Sequence, residues 1–283
     1  MICNPHERGN VRKTIILILF LSIVVGTTTA HSFEFCLPYE LDLTKEQKLA
    51  AMNIGAFVFI TAWGAAFWEY GQRTPHSGNE GWFGQNTDEG GADKLGHMFT
   101  NIYVTEGFSY FYERWGFEHN TAALYGALSS FAIMAYTEFG DSFSNYGFSY
   151  QDLLMNTVGS IVGYLRYRYP EFSRKVDFRI EYVPNLQESD IFTDYEHQKF
   201  LMALKLDGFD FLRNNLFLRY LELQVGYYTR GYADDESTKH RYVYGAVGLN
   251  LSKLFTDVCF PRFAKVFNYY QVPYTYVPYK HDL

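Results

Sequence analysis

The sequence predicts an α+β protein, with a bundle of about four helices followed by a four-stranded antiparallel sheet. Two changes of pattern carry this reading. Apolar residues recur with helical spacing from Glu46 to about Tyr169, and after Pro170 they alternate with polar ones at a period of two. A third feature sets off residues 1–30 as a segment for export. The chain therefore divides into a signal peptide over 1–30, a helical region over 31–170, and a β region with a C-terminal tail over 171–283.

The export segment rests on the order of residue types. Arg8, Arg12 and Lys13 precede an unbroken apolar run from Ile15 to Val25, and small residues from Gly26 to Ala30 follow. Basic, apolar and small regions in that order make a cleavable signal peptide, with the cut expected after Ala30. The alternative is an uncleaved anchor, but the apolar run falls short of the roughly 20 residues that a bilayer-spanning helix needs.

The first helix is expected from about Lys45 to Tyr70. Its nearly uncharged stretch from Leu49 to Trp68 suits either a buried core helix or a membrane span. The second helix opens at Asp93 and ends near Trp115. Asn120 caps the third, which ends at Glu138-Phe139-Gly140-Asp141, and the fourth runs from Ser149 until Pro170 stops it. Between the first two lies a polar loop, Gly71 to Ala92, whose length fits a functional lid or a mobile connection.

In the β region, Val176, Phe178, Ile180 and Tyr182 form the first alternating run, and Phe200, Met202, Leu204 and Leu206 the second. Leu221, Leu223, Val225 and Tyr227 form the third, and Val243, Val247, Leu249 and Leu251 the fourth. Such alternation predicts half-buried antiparallel strands. Polar segments at 185–196, 207–215 and 231–241 supply the turns. Four strands are too few for a closed transmembrane barrel, which starts at about eight.

Composition narrows the partners. The 31 Asp and Glu outnumber the 24 Lys and Arg, and no long basic stripe offsets them, which excludes nucleic acid as a partner. The 25 Tyr and 26 Phe favour membrane association, because aromatic rings sit well at membrane–water boundaries. The expected partners are membrane lipid or another envelope protein. Cys3 leaves with the signal peptide, while Cys36 and Cys259 either form one disulfide in an oxidising compartment or remain separate buried thiols.

The candidate site comes from polar residues in otherwise apolar helices. Asp93 and Lys94 open the second helix with His97 one turn on, Glu138 and Asp141 end the third, and Asp152 opens the fourth with Asn156 on the same face. In an up-down bundle, one helix's start, the next one's end and the following start share one end. That geometry gathers Asp93, Lys94, His97, Glu138, Asp141 and Asp152 into one region. Structural roles compete for each residue. Asp93 suits an N-cap, Ser149 with Asp152 a capping box, Lys94 with Glu138 or Asp141 a salt bridge, and Gly159 with Gly163 close helix packing. Buried ionisable groups are costly and mark functional sites, so the cluster as a whole is the catalytic candidate.

Asp93-Lys94-x-x-His97, Glu138-x-x-Asp141 and Ser149-x-x-Asp152, followed by Gly159 and Gly163, resemble the YfiM-like family of predicted periplasmic lipoproteins, distantly similar to VanZ-like membrane proteins. The resemblance spans about Ala92 to Leu165 and implies a site location without an activity. Phe33-Glu34-Phe35 ahead of Cys36 departs from a lipobox, so the resemblance brings no lipid anchor to Cys36.

Two functional classes follow for an exported protein on the periplasmic side of the envelope, associated with the outer membrane. One is a structural protein, or one that binds lipid or a partner, in which the cluster holds the helices together. The other is an envelope hydrolase or transferase acting on a lipid or cell-wall substrate. There His97 would be general base or metal ligand, Glu138 and Asp141 ligands or proton acceptors, and Lys94 an electrostatic stabiliser. A divalent metal suits a His/Glu/Asp set, although no tight His-x-x-x-His spacing singles one out, and the cofactor stays open. No phosphate loop, serine nucleophile elbow or dinucleotide fingerprint is present, which favours the first class.

Overall fold

The computed structural model describes residues 42–184, 190–233, 238–258 and 260–283. Helices and sheet belong to one unit, Leu43–Leu283. The export segment, Cys36, Cys259 and the turn residues Asp234-Asp235-Glu236 lie outside the described residues.

Four long helices form the first layer: α1 (Lys45–Phe67), α2 (Ala92–Arg114), α3 (His119–Asp141) and α4 (Tyr150–Arg168). Local chemistry sets their ends. Thr44 and Gln47 exchange side-chain and backbone hydrogen bonds in a capping box before α1, and Ser149 Oγ accepts the Asp152 amide before α4. Two expected caps are corrected. Gly91 precedes α2 in the left-handed region at φ 87°, leaving Asp93 inside the helix, and α3 starts at His119 after Glu118, ahead of Asn120. Pro170 does more than stop α4. It occupies the first turn of a short α5 (Pro170–Lys175), where its missing N–H costs nothing, and α5 leads directly into the sheet.

Small residues bring α2, α3 and α4 together. A Cβ at Gly159 would lie 2.7 Å from Asn101 Cβ, and one at Gly163 would lie 2.7 Å from Thr105 Cβ. One at Gly126 would lie 2.8 Å from Thr105 O. Backbones this close leave no room for a methyl group. In contrast, α1 touches the bundle along one side, where Phe57 meets Tyr136 edge-on at 5.0 Å and Asn53 donates to the Tyr112 hydroxyl at 2.7 Å. Only Trp63 and Gly64 of α1 are buried. The core-helix alternative is therefore not what the structure holds.

The sheet has five antiparallel strands in chain order: β1 (Val176–Tyr182), β2 (Gln198–Lys205), β3 (Leu221–Arg230), β4 (His240–Leu249) and β5 (Tyr276–Asp282). The α+β class holds, with one strand more than the alternation predicts. β5 lies in the expected tail and carries Pro278 among charged residues. It pairs on one side only, with β4, so it needs neither a full set of amide donors nor a regular apolar face.

The two faces of the sheet reverse their usual roles. On β1 and β2 the apolar face packs on α2, with Phe99 edge-on to Phe178 at 5.7 Å and to Phe200 at 5.3 Å. The same face continues through Met202, Leu223, Val225, Val247, Val277 and Tyr279, which are 40 to 85% exposed. The opposite face is the buried one, although it carries Asp177, Arg179, Glu181, Glu222 and Gln224. Sheet closure explains the inversion. The Ile180 amide donates to Tyr269 O, and the Gln271 amide donates to Ile180 O, both at 3.0 Å, so the segment leading into β5 also lines the free edge of β1. The chain from Tyr270 to Tyr276 reaches at most about 21 Å. A flat sheet from that edge to β5 would span about 24 Å. The sheet therefore curls around its polar face.

Charge pairing fills that interior. Arg179 donates to Asp177 at 2.8 Å, to both oxygens of Glu222 at 2.6 and 2.8 Å, and to Gln271 at 3.2 Å. Lys205 donates to Asp177 at 2.8 Å, and Arg166 of α4 bonds Glu106 of α2 and the Val176 carbonyl. Helix bundle and sheet interior thus share one network.

Candidate functional site

The loop between α1 and α2 is tied down before it reaches the site. The His76 amide donates to Ser142 O, the Phe148 amide to His76 O, and the Gly78 amide to Phe148 O, so residues 76–78 run beside the α3–α4 connection. Two residues later Glu80 enters the end of the bundle. The loop then packs on the sheet through hydrogen bonds from Tyr227 to Gly90 O and from Arg241 to Phe83 O.

At this end of the bundle Lys94 is fully buried and has three carboxylate partners. Its ammonium bonds Glu80, Asp93 at 2.6 Å and Asp152 at 2.9 Å. The expected pairing with Glu138 or Asp141 is corrected: helical geometry turns Lys94 toward the start of α4, and Glu138 pairs elsewhere. Glu138 Oε1 lies 3.3 Å from His97 Nδ1 and accepts a hydrogen bond from Asn156 Nδ2 at 3.2 Å. Asn156 Oδ1 accepts from Asn101 Nδ2 at 3.1 Å and lies 3.3 Å from His97 Nδ1. Asn101 Oδ1 in turn accepts from Ser130 and Ser160, which carries the polar chain into the bundle. Asp141 stands one turn past Glu138, with its carboxyl beside the Tyr70 hydroxyl.

Five of the six expected residues therefore sit in two adjoining groups, Lys94 with Asp93 and Asp152, and His97 with Glu138. Asp141 flanks them. Glu80 and Tyr70 both join from the segment between α1 and α2. Nothing in the sequence distinguishes Glu80 from the neighbouring acidic residues Asp88 and Glu89, because its position depends on the loop's pairing with residues 142–148.

Carboxylates outnumber cations here, and burial shows in their titration. Burial and the nearby Asp152 push Glu80 up to about 8 against the pull of Lys94. Burial pushes Asp141 up to about 7, and Glu138 well above the usual carboxylate range, helped by Asp152 and Asp141. Glu89, buried near Asp93, is pushed up to about 8. Asp152 moves the other way: burial opposes its charge, but His97 and Lys94 outweigh that and hold it low. Burial also opposes the Lys94 charge, which Asp93 and Asp152 more than restore. The arrangement combines acids that keep a proton near neutrality, one fixed ammonium and one part-exposed imidazole. Such a set can transfer protons or coordinate a cation. The donor atoms of His97, Glu138 and Asp152 lie within 4.8 Å of one another, as do those of Glu80, Asp93 and Asp152.

Residues 79–168 match the model of a family described as predicted periplasmic lipoprotein (DUF2279). The matched stretch holds every cluster residue except Tyr70 and ends before the sheet. No curated protein and no solved structure matches the chain. The family match supports an exported protein of the periplasm.

Proposed function

We propose that this periplasmic protein is held against the outer membrane by its own apolar surface, and that the acid-rich cluster ties three helices together at the bundle's polar end. The observation that carries this reading is α1. Its most apolar window has a mean hydropathy of 1.6, and 11% of that window is buried. Leaving so much apolar surface in water forfeits about 25 cal/mol for each Å² that could be buried, and a bilayer removes it from water. Among the described residues no other helix is both long and apolar enough to cross a membrane. The sheet supports the same occupant, since apolar-out and polar-in alternation is the pattern of lipid-facing strands. Fractionation with a carbonate wash tests the reading. The chain is expected in the membrane pellet, and an Ile54→Lys/Val58→Lys variant in the supernatant. Release of the unaltered chain by carbonate overturns the proposal.

A second reading, an envelope hydrolase or transferase, is favoured by one observation. His97 is 17% exposed and stands 3.3 Å from Glu138, within the reach of a general base and its partner. Lipid and cell-wall profiles of cells carrying His97→Gln test it, with accumulation of an unprocessed species as the supporting outcome.

A further inference from the structure

We propose that one divalent cation of the zinc class binds between α2, α3 and α4, with His97, Glu138 and Asp152 as its protein ligands. Two sets of side chains at this end of the bundle have donor atoms close enough to share an ion, and Asp152 belongs to both. They differ in what already fills them. Glu80, Asp93 and Asp152 surround the Lys94 ammonium, so that set has its cation. His97, Glu138 and Asp152 enclose none.

Asp152 supplies the second, independent observation. The residue is 3% exposed, and its Oδ2 accepts from Lys94 at 2.9 Å, yet among the described residues its buried Oδ1 accepts from no amide, hydroxyl or ammonium. Beyond Lys94, only the Glu80 carboxyl, when it holds a proton, reaches Asp152. A buried carboxylate oxygen without a donor or cation is costly. Glu138 compounds the problem, being 1% exposed on the same side of the cluster. A dication placed among the three groups would offset both carboxylates and satisfy the orphaned oxygen.

The donor chemistry selects the ion. One imidazole nitrogen with two carboxylate oxygens suits zinc and its first-row neighbours, whereas magnesium and calcium take oxygen ligands in larger number. Tetrahedral bonds of about 2.1 Å place ligand atoms roughly 3.4 Å apart, so donor atoms lying within 4.8 Å of one another must draw together on binding. Three protein ligands leave a position open on the exposed side of His97. Asn156 is the positioning residue: it donates to Glu138 and sits against His97 Nδ1, and Asn101 holds it in turn. Outer contacts of this kind orient metal ligands.

Untagged full-length protein in detergent, stripped with a chelator, is titrated with Zn2+ and, separately, with Mg2+. The expected result is one tightly bound Zn2+ per chain, retained through dialysis, with Mg2+ unable to displace it. His97→Gln and Glu138→Gln should each weaken binding at least about 100-fold, Asn156→Ala about 10- to 100-fold, and the surface change Glu171→Gln should leave it unchanged. Should a ligand variant fail to fold, X-ray absorption of the zinc-loaded unaltered chain decides, with an imidazole in the first shell expected. Absence of stoichiometric zinc, equal affinity in well-folded His97→Gln and Glu138→Gln, or a first shell without imidazole overturns the proposal. Binding is read in detergent, so its failure is separate from failure of the membrane reading.

Discussion

Two buried charge networks lie within this one unit, and they are built on different principles. In the sheet interior, Glu106, Asp177, Glu181 and Glu222 face Arg166, Arg179, Lys199 and Lys205, so carboxylates and cations match in number. At the end of the bundle, Glu80, Asp93, Asp141, Glu138 and Asp152 share Lys94 and His97. A matched network offsets the desolvation of each charge with an opposite one, and its natural role is to hold elements in one arrangement. A mismatched one must keep protons, admit water or take a cation, and any of these makes it responsive to its surroundings. The family match covers the mismatched network and stops before the strands of the matched one.

The largest expected effect tests the matched network. Arg179→Met would leave Glu222 without a cation in the closed sheet while Asp177 keeps Lys205, and a loss of about 5 kcal/mol, at the upper end for a broken buried pair, is expected in denaturant unfolding. A loss under about 1 kcal/mol would erase the distinction drawn here. Lys94→Met comes next, at about 3 kcal/mol. It strands three carboxylates, but Glu80 and Asp93 are part-exposed and can take up protons instead.

The pH dependence of metal-free protein sharpens the contrast further. Glu80 and Glu89 each titrate near 8 in the folded chain against an ordinary value of 4.5, raised first by burial. A carboxyl held above its ordinary value binds its proton more tightly in the folded state. Its contribution is complete below about 4.5 and is lost as the pH rises toward 8. Unfolding free energy should therefore fall across that window, and the double change Glu80→Gln/Glu89→Gln should flatten the fall. The destabilisation by Arg179→Met should grow across the same window, since the buried Glu222 carboxyl left without its cation can keep a proton at the acid end and loses it toward the alkaline end. The smallest effect is expected for Glu171→Gln, an exposed partner of Arg174, whose thermal unfolding should shift by no more than about 1 kcal/mol.

The two networks were unequally legible in the sequence. The bundle cluster could be anticipated because Asp93, Lys94, His97, Glu138 and Asp152 sit at helix ends, and helix order decides which ends meet. Glu80 escaped, since a long loop has no periodicity from which to place a side chain. The sheet network was hidden by the alternation that revealed the strands. A period of two separates Asp177, Arg179 and Glu181 from Phe178 and Ile180, but it carries no sign of which set faces inward. That choice came from a contact distant in sequence, Ile180 with Tyr270, which curls the sheet. β5 escaped for a related reason, because an edge strand bearing Pro278 has little need of the pattern by which central strands are recognised.

The curl also orders assembly. Each strand pairs with its predecessor, so the sheet can grow strand by strand as the chain emerges, joining only sequence neighbours at each step. The closing contact must wait for the last residues, and until Tyr269 to Gln271 dock on Ile180 the nascent sheet exposes bare β1 backbone. Bare backbone of that kind pairs readily with a second chain. A chain ending after Asn268 keeps β1 to β4 but loses both the clasp and β5, which bares the outer edges of β1 and β4, so it should assemble edge to edge into oligomers more readily than the whole chain.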